Sequence, residues 1–218
     1  MERDFWLERW KNNQIGFHQA EFSPYLNEYW KSLAVDKSCQ VFVPLAGKSK
    51  DMLWLTNEGH KVYGVELSEI AVKAFFEENG LEYTVDQKGK HLSHVSDDLE
   101  FLCGDFFHIS PDNTKHVKAV FDRASLVAMP PEFRTRYADH MGELLTQGSK
   151  ILLISMEYPE GEMSGPPFSV SEAEVRELYE KNFDVELKET IDVLANNQHM
   201  KDRGLTAMDE KVYLLTRK

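Results

Sequence analysis

Four residues of this 218-residue sequence stand where an open α/β sheet presents ligand-binding groups, at or just after short apolar runs: Leu45, Glu66, Asp105 and Arg123. In such sheets ligands bind outside the carboxyl ends of the strands, at the switch point of the topology. Pro44-Leu45-Ala46-Gly47 follows the first run, and its small residues let a ligand approach the backbone. Glu66 comes about 20 residues later, the offset at which a carboxylate accepts from both ribose hydroxyls and rejects a phosphate. The alternative is a solvated residue just ahead of a helix, but its place at the end of a buried-type strand favours the binding role. Asp105, in Cys103-Gly104-Asp105-Phe106-Phe107, can accept from an adenine amino group or sit in a plain turn. Arg123 is a cation in an acidic chain. It can bind a carboxylate bidentately, orient an anionic nucleophile, or pair with Asp122 or another neighbour.

What is missing narrows the ligand. A dinucleotide fingerprint needs GxGxxG, and only Gly47 is present, which favours a nucleoside without a phosphate. Gly47-Lys48-Ser49 has the ending of a Walker A loop, but that loop's first glycine would fall at Phe42. No GxSxG elbow or HExxH pair supports serine or zinc hydrolysis. His91, His94, Asp97 and Asp98 share a polar stretch without metal-ligand spacing, so no metal is expected. His18 is either a proton acceptor or a structural histidine. Trp6, Trp10, Phe17 and Trp30 form either core or an aromatic lid, whose rings would attract a cationic ligand.

The elements that must position these groups alternate. Residues 2–12 read as a helix, and Ser23-Pro24 as the capped start of another reaching Leu33. Gln40–Pro44 and Lys61–Glu66 read as strands separated by a helix over Ser49–Asn57, which Gly59 closes. Ser68 caps a helix over Glu69–Asn79. Leu99–Cys103 and Val117–Phe121 are further short strands. Pro130-Pro131 opens a helix over Glu132–Thr146, and Lys150–Ser155 is the most apolar strand. A helix near 171–182 precedes strands Phe183–Ile191 and Glu210–Arg217, which should pair antiparallel. Residues 88–98 and 157–169 read as polar loops. Repeated strand–helix alternation implies an open, mostly parallel sheet covered on both faces, with an antiparallel hairpin at its end.

Composition excludes other classes. The hydrophobic share of 42% and charged share of 28% suit a packed core, and the length suits one domain, residues 1–218. The net charge of −12 repels phosphate backbones and anionic lipid, so no nucleic-acid or membrane partner is expected. Cys39 and Cys103 are the only cysteines and show no disulfide or metal pattern, which suits a reducing cytoplasm. The first ten residues lack the apolar run of a signal peptide, and no stretch is long enough to span a bilayer.

Taken together, several segments make the sequence resemble the thiopurine S-methyltransferase family in its bacterial form, across almost the whole chain. They are Phe5-Trp6 through Trp10, Gly16-Phe17-His18-Gln19, Val43–Lys48, Gly64–Ser68, Asp122–Ala128, Gly165-Pro-Pro-Phe168 and Lys211–Thr216. The resemblance implies a class I methyltransferase fold, an open, mostly parallel Rossmann-like sheet of seven strands with a helical N-terminal cover over residues 1–35. It implies S-adenosylmethionine as cofactor and a small-molecule thiol as partner, in a monomer active in xenobiotic metabolism. Carried over by position, Trp10, Leu45, Glu66 and Arg123 match cofactor-binding positions, and Asp105 falls in the adenine-contacting segment. Phe17 matches an aromatic position of the substrate pocket. Mammalian members carry a second active-site Arg near the C-terminal loop. His199 stands at that place here, with Arg203 nearby as the candidate substrate-binding cation.

The implied reaction moves the methyl group to the sulfur of thiopurines and other aromatic or heterocyclic thiols, leaving S-adenosylhomocysteine. Aromatic thiols are acidic enough to be largely thiolate near neutral pH, so no general base is assigned, and Arg123 orients the acceptor. Two alternatives stand beside this reading. One is the same chemistry on selenium or tellurium species. The other is a module that binds the cofactor without turnover.

Overall fold

Short apolar runs such as Gln40–Val43 and Val117–Arg123 become strands, and a residue in the left-handed region, Leu45 or Ala124, follows each of these two. The structure, a computed structural model, describes residues 3–218; Glu2, the first residue of the expected N-terminal helix, lies outside them. The chain forms two compact units, the first reaching Phe121 and the second covering Asp122–Lys218.

The first unit runs α1 (Arg3–Lys11), α2 (Pro24–Tyr29, continued by a 3-10 turn over Trp30–Leu33), β1 (Gln40–Val43), α3 (Asp51–Asn57) and β2 (Lys61–Glu66). It continues through α4 (Glu69–Glu78), β3 (Thr84–Lys88), β4 (His91–Ser96), β5 (Leu99–Cys103), α5 (Pro111–Thr114) and most of β6 (Val117–Arg123). Its strand order is β3-β4-β5-β2-β1-β6. The four strands β5, β2, β1 and β6 are parallel. Val41, Phe42 and Val43 are all buried, as are the residues of β2 from Val62 onward. That continuous burial follows from a parallel sheet covered on both faces. Phe42, Phe75, Phe76 and Phe101 fill the core without measurable exposure, with the Phe75 and Phe101 rings 5.0 Å apart. Ser68 caps α4 as expected, its Oγ accepting from the Ala71 N–H. Ser23 does not cap α2 through its side chain; its backbone N–H instead donates to Asp51 Oδ1 at 2.6 Å.

The stretch 88–98 is not a loop. It turns back on itself at Gly89-Lys90, with Lys88 opposite His91, and lays β4 antiparallel on β5 and β3 antiparallel on β4. Among the described residues the strands therefore number nine rather than seven. The hairpin escaped the pattern of alternation because β3 is exposed throughout and β4 buries His91, Ser93 and His94 instead of aliphatic residues. The glycine at the turn, Gly89 at φ +60°, was the local signal available.

The second unit contains α6 (Pro131–Leu144), β7 (Lys150–Glu157), α7 (Glu172–Tyr179), β8 (Phe183–Asp192), α8 (Gln198–Asp202) and β9 (Asp209–Arg217). The order is β7-β9-β8, and both pairings are antiparallel, which gives the expected C-terminal hairpin. The loop over 157–169 is held at its base by reciprocal bonds. Ser169 Oγ accepts from the Tyr158 N–H at 2.9 Å and donates to the Tyr158 carbonyl at 2.8 Å. Arg134, nearly fully buried, donates to both carboxylate oxygens of Glu174 and to the Met129 carbonyl, with its guanidinium 5.9 Å from the Phe168 ring. No helix of the described residues is long and apolar enough to cross a membrane.

Asp122 gives this unit a pH dependence. Its side chain is fully buried, and burial pushes its carboxyl up to about 6 against hydrogen bonds from Tyr137 Oη (2.7 Å) and Ser125. An unfolded Asp titrates near ~3.9, so between pH ~4 and ~6 the native state binds more protons and stability falls as pH rises. The window of about two pH units corresponds to roughly 2–3 kcal/mol. Asp122→Asn removes the titration. Its stability relative to the parent, measured by urea unfolding, should therefore improve by that order between pH 4 and pH 7. A difference that stays constant across that range counts against the assignment.

Candidate functional site

Glu66, the last residue of β2, is the centre of the site in the first unit. It is only 6% exposed, and each carboxylate oxygen meets a backbone donor. Oε2 accepts from the Gly47 N–H at 2.8 Å and Oε1 from the Ser68 N–H at 2.8 Å. Burial raises its pKa, opposed by the backbone N–H groups of Ser68, Gly47 and Leu67. A carboxylate has about four lone-pair sites, so these contacts leave it capacity to accept from further donors. That capacity fits the vicinal hydroxyls of a ribose.

The turn after β1 is built to meet it. Leu45 at φ +46° and Gly47 at φ +56° bend the chain so that the Ala46 N–H donates to the Val65 carbonyl at 2.9 Å, beside Glu66. A Cβ on Gly47 would stand 3.4 Å from the Trp10 ring. Trp10, 7% exposed, thus lies over the glycine turn, and its ring centroid is 5.6 Å from that of Phe17, edge to face. Trp6 packs on Phe17 in the same way at 5.4 Å. Phe17 remains 43% exposed, the aromatic of this cluster that faces outward. Lys48 turns away to Glu78 on α4, 2.6 Å distant, which explains why its Walker-like neighbourhood holds no anion-binding lysine.

Asp105 joins the same constellation through the backbone. The Gly104 N–H donates to the Glu66 carbonyl at 2.8 Å. The Asp105 Oδ1 accepts from the Phe107 N–H at 2.9 Å and so caps the short 3-10 turn over Phe106–His108. Its turn role and a ligand role are compatible, since the cap engages Oδ1 and a carboxylate has a second oxygen to accept with. Trp10, Phe17, Leu45, Glu66 and Asp105 are therefore gathered around one end of the sheet of the first unit. Cys103 is next to this group but inert as a nucleophile: burial and the Glu66 charge push its thiol up to about 11.

Arg123 and Arg203 belong to the second unit. Arg123 ends β6, half-buried, and is followed by Ala124 in the left-handed region at φ +62°. Asp122 points into the interior, where it meets Tyr137, so the ion pair of adjacent residues considered from the sequence has a competitor. Arg203 follows α8, exposed, with Nη1 3.9 Å from Met200 Sδ; His199 lies within the same short helix. His91 and His94 are buried side chains of β4. His91 Nε2 meets the Asp105 carbonyl at 3.0 Å, and His94 stacks on Phe76, which leaves them structural partners. The contact of His91 with the site was not legible in the sequence, because it depends on the unrecognised hairpin.

Comparison with known proteins places the chain among its relatives. The profile of the thiopurine S-methyltransferase family matches residues 1–218. A thiopurine S-methyltransferase of Nitrosospira multiformis is 48% identical over 215 residues, covering 99% of this chain and 98% of that protein. One from Marinobacter nauticus is 42% identical over 219 residues, with full coverage of both. Among solved structures, 1,6-didemethyltoxoflavin-N1-methyltransferase of Burkholderia thailandensis, with bound S-adenosylhomocysteine, superposes with a TM-score of 0.66 at 15% identity. The match covers 99% of this chain and 87% of that one. A SAM-dependent methyltransferase of Methanosarcina mazei gives 0.62 at 14% identity, covering 90% and 98%. Similarity at that level speaks for the fold, the α/β methyltransferase sheet with its antiparallel C-terminal hairpin.

Proposed function

Because the chain belongs to the thiopurine S-methyltransferase family, we propose that it transfers the methyl group of S-adenosylmethionine to the sulfur of thiopurines and other aromatic or heterocyclic thiols. The observation that carries this is Glu66. A buried carboxylate at the end of β2 already accepts two backbone N–H groups and keeps acceptor capacity for a ribose, beside a glycine turn with no phosphate cradle. When bound, the cofactor supplies an electrophilic methyl group on a cationic sulfonium.

The chain's own residues do the rest by binding and orientation. Glu66 holds the ribose hydroxyls, Asp105 accepts from the adenine amino group, and Trp10 and Leu45 line the cofactor's path. Phe17 offers an aromatic face to the acceptor, and Arg203 a cation from the C-terminal loop. Arg123 favours the acceptor as its thiolate, since a neighbouring guanidinium stabilises the anion. No residue is needed as a strong base. Alignment of a soft nucleophile and exclusion of water supply the acceleration.

The same reading treats residues 1–218 as one catalytic domain with residues 1–35 as its cover, a cytoplasmic monomer engaged in xenobiotic metabolism. Free thiols at Cys39 and Cys103 support the reducing compartment.

The test is direct. Purified protein, S-adenosylmethionine carrying a labelled methyl and 6-mercaptopurine should give a labelled S-methyl product and S-adenosylhomocysteine in equal amounts. Cofactor binding without any methylated thiopurine would remove the proposal and leave a binding module. Methylation of selenite with thiopurine untouched would move the acceptor to selenium.

A further inference from the structure

The hairpin of β3 and β4 reaches the candidate cofactor site through one side chain. His91, the first residue of β4, is 3% exposed and lies at the hairpin turn, opposite Lys88. Its Nε2 is 3.0 Å from the Asp105 carbonyl oxygen. A carbonyl only accepts, so Nε2 carries the proton in this contact. The same ring fills the space beside Gly104: a Cβ there would stand 2.5 Å from His91 Cδ2 and 3.2 Å from Cγ and Nε2. Ring carbons and backbone cannot share that volume, so glycine at 104 and imidazole at 91 are a matched pair. Gln87 Nε2 donates to the His91 carbonyl at 2.9 Å and holds the hairpin end in place.

The peptide that His91 holds connects both nucleoside-binding carboxylates. The Gly104 N–H hangs from the Glu66 carbonyl, the Asp105 carbonyl is held by His91, and Asp105 Oδ1 is fixed by the Phe107 N–H. The direction of the Asp105 side chain is thereby set from two sides. The Asp105 carbonyl also accepts from the His108 N–H at 3.0 Å, inside the 3-10 turn, so the imidazole is the contact that ties this turn to β4 and sets its direction against the sheet.

We propose that His91 is a positioning residue for cofactor recognition, fixing the Asp105 carbonyl, and with it the turn that follows Gly104, so that the Asp105 carboxylate faces the adenine amino group. This rests on the reading above in which Asp105 accepts from adenine. It assigns a function to the two strands by which the sheet exceeds the expected seven.

The readout is discrimination between S-adenosylhomocysteine and S-inosylhomocysteine, which carries a carbonyl in place of the amino group. Affinities are measured by calorimetry on the full-length protein. The parent should prefer the adenosyl ligand by about 10-fold or more, the scale of one charge-assisted hydrogen bond. His91→Phe keeps an aromatic ring but removes the donor and should reduce that preference to about 3-fold or less. His91→Gln, which can present an amide N–H near the Nε2 position, should restore most of it. Gly104→Ala attacks the same contact from the other side, should also erode the preference, and serves if His91→Phe does not fold. In steady state, His91→Phe should raise KM for S-adenosylmethionine while kcat and the acceptor KM stay within about 2-fold, a split that general loosening of the fold would not give.

Asp105→Ala separates the two levels of the argument. If it abolishes the preference while a folded His91→Phe and Gly104→Ala retain it, the positioning role is overturned and the adenine reading stands. If Asp105→Ala itself leaves the preference intact, the adenine reading falls and the positioning role falls with it.

Discussion

Glu66→Ala should bind S-adenosylhomocysteine at least about 100-fold more weakly than the parent, the largest effect expected of any single substitution in the chain. The carboxylate is proposed to accept from two ribose hydroxyls, and hydrogen bonds to a charged group contribute about 1.5–3 kcal/mol each. Two of them give about 3–6 kcal/mol, or roughly 10²–10⁴-fold. The substitution has a second consequence in the free protein, where the Gly47 and Ser68 N–H groups lose their shared acceptor. Part of the lost affinity will therefore come from a slack glycine turn and part from the missing acceptor. The 2′-deoxy ribose analogue of the ligand separates them. It should cost the parent about 10-fold and cost Glu66→Ala almost nothing. A circular-dichroism spectrum unchanged from the parent establishes that the variant is folded. If such a variant binds S-adenosylhomocysteine within about 3-fold of the parent, Glu66 does not hold the ribose.

Arg123→Ala should lower kcat/KM for 6-mercaptopurine by about 10- to 100-fold, with a smaller effect on cofactor binding. The argument is electrostatic. The formal charge is −12, so the chain's average field opposes an anionic acceptor, and a local guanidinium must reverse it. Loss of one charge-assisted contact, about 1.5–3 kcal/mol, sets the scale. Arg123→Lys should recover part of the rate, because charge survives and the planar fork does not. The pH profile carries the more specific signature. With Arg123 the bound acceptor is held as thiolate to lower pH, so the acidic limb of kcat should move upward in Arg123→Ala. An Arg123→Ala variant whose rate and profile both match the parent's would falsify the acceptor role and leave the family assignment untouched.

The parts of this architecture that could be read in advance were those where chemistry and periodicity agree. Val41–Val43 and Val62–Val65 are apolar without interruption because they are buried on both faces, and such runs announce parallel strands. Glu66 was legible because a carboxylate at the end of a buried strand is unusual, and its Gly47 and Ser68 partners show how it is tolerated there. Helix ends were legible to within a few residues: α6 stops at Leu144, where Thr146 was expected. The β3–β4 hairpin was not legible. Its buried positions are His91, Ser93 and His94, whose burial is made possible by contacts from outside the segment: the Asp105 carbonyl, the Glu100 carboxylate and the Phe76 ring. No local pattern encodes partners that lie elsewhere in the chain, so a polar stretch passed for a loop, and the role of His91 at Asp105 was hidden with it.

That hairpin also decides where the sheet ends. Without it the open edge of the first unit would be β5, the strand that leads directly into Gly104 and Asp105, with Leu99, Phe101 and Leu102 among its buried residues. An unpaired strand of that kind invites another chain to add to it, and any such addition would distort the segment proposed to meet the cofactor. β4 occupies that place, and the outermost position passes to β3, five residues long, exposed throughout and bearing Asp86 and Lys88, the latter 2.8 Å from Glu100. A short, charged border is poorly suited to self-association. The strands proposed to bear the ligand are thus insulated by two strands' width from the β3 edge, where another chain could add.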